Sequence, residues 1–287
     1  MEALPPTRAR LRRSSTRPIA LAMASAAAIL IVPAQAGAQT LSDDYWINVM
    51  AFAPKIDTNV RVQTKTDTIV GTDIDFENDL AMDNDEVLPS VSIGSRFGRV
   101  IVNADFYKLK RSGSTSLRRD ITFDDVTYPA SAQIGSSFDS DIYRLTVGYA
   151  FVQNETLELG AGLGLHATRF DLSIEGEASV GSAGASTEVR RRDFLAPLPT
   201  LGAFATYRLS DRIEANARLD YLSLKIGDYD GKLVNAQASV SYQIVRHVSL
   251  GVAYRYVDYR VGVDKDLWSG RVRYKLHGPA FILQGSF

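Results

Sequence analysis

Ionisable side chains recur at alternate positions of otherwise apolar or small-residue runs: Arg96, Asp105, Arg144, Glu158, Glu214, Arg218, Asp220, Arg255, Arg271 and Arg273. If they share one enclosed face, two chemistries are open to them. They could line a narrow polar passage and select ions by charge. They could instead neutralise one another as a salt-bridged plug, because an unpaired charge is costly in a low-dielectric interior. Both signs occur in similar numbers, which favours the plug.

The densest acidic stretch is Asp73-Ile74-Asp75-Phe76-Glu77-Asn78-Asp79, continued by Asp83, Asp85 and Glu86. Clustered carboxylates suit hard cations, so Asp73, Asp75, Glu77 and Asp79 are a candidate for a cation or for cation bridging to anionic lipid head groups. No Gly at the sixth position and no Glu at the twelfth complete a calcium loop, and acid alternating with apolar residues also fits a strand end meeting water. Of three His, His166 lies mid-strand, His247 in a short turn and His277 near the C-terminus. A nucleophilic site needs a base bonded to Ser or Thr and an orienting acid. His166 with Thr168 resembles the His-x-Ser spacing of outer-membrane lipid deacylases, but Thr replaces Ser and the parity turns the pair inward. The Gly-, Ala- and Ser-rich segment 176–187 reads as flexible rather than as a phosphate cradle.

The elements that would position these residues are strands. Over 156–170, Leu157, Leu159, Ala161, Leu163, Leu165 and Ala167 oppose Glu158, Gly160, Gly162, Gly164, His166 and Thr168. A helix would scatter these residues, whereas a strand sorts them onto two faces. The same period-2 sorting recurs over 142–151, 213–222, 234–242 and 248–256. Outward Ala and Tyr with charged residues opposite suit lipid outside and a polar interior. Short connections at 97–99, 153–155, 210–212 and 245–247 alternate with longer polar stretches near 56–86, 111–138, 172–193, 226–231 and 263–267. Outer-membrane barrels put short turns on the periplasmic side and long loops outside. The pattern therefore predicts an all-β fold: a transmembrane antiparallel up-and-down β-barrel of about ten strands (eight or twelve as alternatives), with both termini periplasmic. Tyr45, Trp46, Phe97, Phe151, Tyr207, Tyr242 and Phe287 would form one interfacial girdle, and Phe106, Tyr221, Tyr256 and Trp268 the other, with an inward orientation the alternative for some of them, notably Trp46.

Residues 1–38 read as an export signal, with residues 39–287 as the barrel domain. Arg8, Arg10, Arg12, Arg13 and Arg17 precede an apolar run from Ile19 to Val32, and Ala36-Gly37-Ala38 fits a cleavage site. The run is broken by Pro33 and is shorter than a spanning helix requires. Arg12-Arg13 hints at a twin-Arg signal, but barrels travel unfolded, which favours the general secretory route. Removing these residues takes five of the 32 basic residues and one of the 33 acidic ones, leaving a net charge of −5. That balance argues against nucleic acid as a partner. No Cys is present, so disulfides and thiolate metal sites are excluded, and nothing in the pattern calls for a cofactor.

The C-terminal run Phe281-Ile282-Leu283-Gln284-Gly285-Ser286-Phe287 places Phe281, Leu283 and Phe287 at alternate positions. It resembles the signal read by the outer-membrane barrel-assembly machinery. Gly278-Pro279-Ala280-Phe281-Ile282-Leu283 partly matches that signal's Gly-x-x-aromatic-x-hydrophobic core. The region after residue 38 resembles the broad Gram-negative outer-membrane β-barrel family of small opacity-type and porin-like proteins. Gly71 to Leu80 followed by Leu88-Pro89-Ser90 is similar to an uncharacterised branch of it. The resemblance implies an outer-membrane location, lipid as the surrounding partner, and the secretory translocon and assembly machinery as partners in biogenesis. The leading expectation is a structural or surface-interacting barrel with a side-chain-filled lumen and long outer loops, without enzymatic turnover. A narrow passive channel for small polar solutes or ions is the runner-up. An envelope lipid- or peptide-cleaving enzyme is the third class: ten strands also resemble the omptin proteases, although no Asp-x-His stands near a loop base.

Overall fold

The alternating segments build one wall. The computed structural model describes residues 41, 43–65, 70–180 and 186–287, so the export-signal reading of residues 1–38 lies outside the described residues. The strands are β1 (Tyr45–Phe52), β2 (Lys55–Thr64), β3 (Ile74–Asp75), β4 (Leu88–Phe97), β5 (Val100–Ser116), β6 (Ile121–Phe123), β7 (Val126–Tyr128), β8 (Gln133–Gln153), β9 (Leu157–Val180), β10 (Ser186–Ser210), β11 (Ile213–Ile226), β12 (Tyr229–Val245), β13 (Val248–Asp264) and β14 (Trp268–Ser286). β1, β4, β5, β8, β9, β10, β11, β12, β13 and β14 pair in that order, all antiparallel, and β14 returns to β1 from Trp46↔Ser286 to Phe52↔Ala280. This is a closed ten-strand barrel. Closure pairs the backbone that lipid could not solvate and leaves no edge. The last residue seals the seam: its carbonyl accepts from the backbone N–H of Asp44 at 2.9 Å and of Tyr45 at 3.0 Å.

Parity sorts as expected. Tyr143, Leu145, Val147, Tyr149 and Phe151 are exposed outside, while Arg144 and Ala150 are buried inside. Leu163 and Leu165 face out, and Glu158, His166 and Thr168 face in. At the short-turn end, Gly98 takes φ 61°, a left-handed conformation that costs a glycine nothing.

Three features differ from expectation. The stretches read as loops at 111–116, 133–138, 172–180 and 186–193 are mostly strand. β9 has 24 residues, whereas about 9–11 suffice to span, so the wall rises well beyond its apolar belt. The polar outer face of those extensions meets water, and a strand there has the composition of a loop. Trp268, expected in the outer girdle, lies at an inward position and packs against the interior cluster beside Phe194. Arg271 and Arg273, expected inside, lie outside. They share the parity of the exposed Phe281 and Leu283, with buried Val272 and Tyr274 between and beside them.

The remaining strands extend and cap the wall. Beyond Ala53-Pro54 the first strand resumes as β2, which pairs with the upper half of β14. Upstream of Leu88 no β4 residue borders β5, and residues 76–86 take the place. A Cβ on Gly113 would lie 2.1 Å from the Leu80 carbonyl oxygen, so only glycine permits that approach. The β6–β7 hairpin crosses the mouth: Gln63 of β2 bridges to Asp124 and Val126 of β7 pairs with Val180 of β9.

Candidate functional site

The lumen divides into two parts of opposite chemistry. Toward the short-turn end it holds a cavity of ≈190 Å³, room for on the order of a dozen waters. Arg96, Asp105, Arg144, Glu158, Glu214, Arg218, Asp220 and Arg255 all line it. The sequence-level set is thus brought together, with four cations against four acids.

Its pairing spans the lumen. Arg144 Nε donates to Asp105 Oδ2 at 2.8 Å, and its Nη1 donates to Asp220 Oδ2 at 2.6 Å. Arg218 Nε lies 3.3 Å from Asp220 and donates from Nη2 to Thr146. Asn235 donates to Asp220 at 3.0 Å and accepts from Arg255 Nε at 3.2 Å, while the Arg255 guanidinium lies 4.7 Å from the Tyr107 ring centroid. Nearer the turns, Arg96 pairs with Glu158 at 2.8 Å and donates to the Leu41 carbonyl at 2.6 Å. Charge-assisted bonds of this kind compensate the loss of hydration that either sign would suffer alone.

Past Tyr107 the lumen turns apolar. Ring contacts run across it: Phe76 to Phe138 at 5.2 Å, Phe138 to Phe170 at 6.0 Å, Phe170 to Tyr259 at 5.6 Å, and Tyr259 to Tyr274 at 5.1 Å. These rings come from the segment after β3 and from β8, β9, β13 and β14, so they form a septum from wall to wall. Ile121, Phe123 and Val126 of the hairpin and Leu80 and Met82 of the inserted segment are buried in the same cluster. The expected side-chain-filled lumen therefore needs correction. The filling is aromatic and comes partly from inserted chain, whereas the salt-bridged residues border a cavity. Ten strands enclose more room than the eight-strand barrel whose interior side chains fill it, and folded-in loops occupy the difference.

Arginines anchor the insertion. Arg111 donates to Glu77, to the Asp83 carbonyl at 3.2 Å and to Thr58 Oγ1 at 2.6 Å. Arg119 grips Asp79 at 2.6 Å and the Asp73 carbonyl at 2.8 Å, and Arg61 pairs with Asp73. Asp75 accepts from the backbone and side chain of Asn78, each at 2.9 Å. The four acids singled out in the sequence therefore diverge onto separate protein partners. Burial works against the Asp79 carboxylate, but the bond and charge of Arg119 outweigh it and hold its pKa below the ordinary carboxylate value. On the hairpin, burial pushes the Tyr128 hydroxyl up to about 12, and it donates to the Ile174 carbonyl at 3.0 Å.

His166 and Thr168 both lie inside and are fully buried, and neither ring nitrogen of His166 has a hydrogen-bond partner. His247 stacks on Phe287 at 5.3 Å. His277 is exposed on the outer face, its Nδ1 3.2 Å from the Tyr254 hydroxyl. Phe281 and Leu283 are exposed outward on the closing strand, and Phe287, exposed too, follows its end.

Sequence reasoning missed the septum and its anchors Arg111 and Arg119. The signal was present in part. Phe138, Phe170, Tyr259 and Tyr274 fall on the inward parity of their strands once the alternation is carried past the apolar belt.

No protein-family model and no curated protein match the chain. Solved structures do. The outer membrane protease OmpT from Escherichia coli is 11% identical, with 85% of this chain and 97% of that one covered and a TM-score of 0.55. OprG from Pseudomonas aeruginosa is 9% identical over 86% and 97%, with a TM-score of 0.37. The P. putida toluene transporter TodX is 10% identical over 85% and 90%, with a TM-score of 0.33. The first likeness is one of fold, a barrel of the outer-membrane type; the other two fall below 0.5 and carry no argument.

Proposed function

We propose that the chain is a closed, non-conducting outer-membrane barrel of a Gram-negative bacterium with a structural or surface-presenting role. On this reading its short turns and both termini lie in the periplasm, and its tall wall and hairpin face outward. The supporting observation is the septum. Phe76, Phe138, Phe170, Tyr259 and Tyr274 are buried in mutual contact across the lumen, and an apolar constriction of that kind dewets and blocks ions. The exposed belt of Tyr, Leu, Val and Phe supports the membrane assignment. The exported chain would pass from the translocon to the assembly machinery, its Phe281 and Leu283 displayed on the strand that closes the barrel and its Phe287 just after it.

The purified protein reconstituted in planar bilayers tests the reading. Silence across both polarities is the expected result. Discrete, reproducible openings would establish the passive channel instead, with the charged cavity as its vestibule.

A further inference from the structure

The charges around the lumen cavity do not cancel locally. Toward the turns, Glu158 is taken by Arg96, and Glu214 stands directly opposite Arg208. Deeper in, Arg144, Arg218 and Arg255 face Asp105 and Asp220. Arg144 pairs with both acids, and Arg218 shares Asp220 with it. Arg255 bonds to neither. It is 4% exposed, and its one hydrogen bond among the described residues goes to the neutral Asn235. Its guanidinium rests 4.7 Å from the Tyr107 ring centroid and 5.7 Å from that of Phe52. Asp105 lies within electrostatic reach of it but is held by Arg144. A buried charge without a bonded counter-charge is costly, and ring faces offset only part of that cost.

Register sets this charge beside a second one. Arg218, Gln237 and Arg255 stand in one cross-strand row on β11, β12 and β13. Two strand spacings put the Cα atoms of the arginines about 10 Å apart, with a neutral amide between them. All three side chains line the cavity, and that of Gln237 bonds to no described residue. The wall nearby is neutral and hydrogen-bonding: Asn48, Ser92 and Ser239 line it, and Asn48 Oδ1 is buried without a partner. The lining also reaches Glu158 and Glu214, the second residues of β9 and β11, so the cavity extends to the short-turn end while the septum closes the other.

We propose that Arg218, Gln237 and Arg255 seat the carboxylate of a small hydroxylated acid. Three cations against two acids leave one positive charge, which calls for a monoanion. A guanidinium fork matches the two oxygens of a carboxylate, and the Gln237 amide adds a donor between the forks. The neutral wall can donate to and accept from hydroxyl groups. A cavity of ≈190 Å³ admits an acid of about six carbons. Entry from the short-turn end rests on the closed-septum reading above, whereas the seat itself does not.

Isothermal titration of the purified full-length barrel in mild detergent tests the seat, with gluconate, glycerate, the neutral polyol sorbitol and chloride as probes. One equivalent of gluconate should bind and sorbitol should not. Gluconate affinity should fall roughly thirtyfold in Arg255→Gln. Because Arg255 has no bonded carboxylate, that variant should keep the wild-type urea midpoint, which separates a lost seat from a lost fold. If it does not fold, Gln237→Ala reads the same row, with an expected loss of about fivefold. Arg271→Gln, on the outer face, should bind as wild type does. Binding of neither acid, equal binding of sorbitol, or undiminished binding by folded Arg255→Gln would overturn the seat. Chloride binding without either acid would assign the row to an inorganic ion and reject the carboxylate. A silent and a conducting barrel would give the same titration, so failure of the seat is distinct from failure of the closed-barrel reading.

Discussion

The Arg144 guanidinium on β8 reaches across the lumen to Asp220 on β11, with Nη1 2.6 Å from Oδ2, while its other nitrogens hold Asp105 on the adjacent strand. One cation thus ties two acids on strands far apart in the ring. Removing one partner of such a buried arrangement costs more than the arrangement itself contributes, because the survivors keep their desolvation penalty. Arg144→Met should therefore destabilise the folded barrel by about 3 kcal/mol in urea titrations followed by tryptophan fluorescence. Arg144→Met combined with Asp105→Asn and Asp220→Asn should recover much of that loss. Equal stability of the single and triple variants would refute the coupling.

Phe170 touches Phe138, Phe194, Tyr259 and Tyr274. Its truncation to Ala leaves a cavity at the centre of the septum and should cost about 3–5 kcal/mol. If the septum is the seal, current fluctuations absent from wild type should also appear in planar bilayers. A destabilised but silent Phe170→Ala would move the seal to the β6–β7 hairpin.

Acid should loosen the inserted segment. Asp79 has its carboxyl held below the ordinary 3.8 by Arg119 against the opposing effect of burial, and Asp125 is lowered in the same way by its bond to Arg190. A carboxyl depressed in the folded state contributes stability above its unfolded pKa, and that contribution is lost as pH falls through the folded value. The protection of residues 71–86, corrected for the intrinsic pH dependence of amide exchange, should stay flat from about pH 7 to about pH 5 and should fall once the pH drops below 3.8. In Asp79→Asn the segment should exchange faster at neutral pH, with the acid-dependent step diminished. Identical profiles for the variant and wild type would contradict the anchor.

His166 is 0% exposed with both ring nitrogens unbonded. A buried polar group without partners costs stability, and an apolar replacement of similar volume removes that cost. His166→Leu should be neutral or stabilising by about 1 kcal/mol in the same urea titration. Under the hydrolase alternative it would instead abolish turnover of an envelope substrate. Screening wild type and variant against lipid A, phospholipid and peptide separates the two.

Much of this was legible in the chain itself, and the errors share a cause. The in–out sorting of 142–151, 156–170, 213–222, 234–242 and 248–256 follows from a period of two, which is local. Strand number follows from the turns at 97–99, 153–155, 210–212 and 245–247, which are local too. Arg271 and Arg273 were recoverable as outward by counting back from Phe281. The eight lumen charges were recognisable as a set, because alternation places them on one face.

What alternation cannot carry is which inward residue meets which, since Arg144 and Asp220 are 76 positions apart and only the curvature of the closed sheet brings them within 2.6 Å. Nor does it show that Ile74, Phe76, Ile121 and Phe123, scattered among acids and threonines that look solvated, turn into the barrel. Sequence alone determined a wall with a lipid face and an inner face, because pleat and turn are properties of neighbouring residues. Tertiary structure decided what fills that wall, because the free energy of burying those apolar side chains depends on how much room the closed ring leaves, and no segment holds that information by itself.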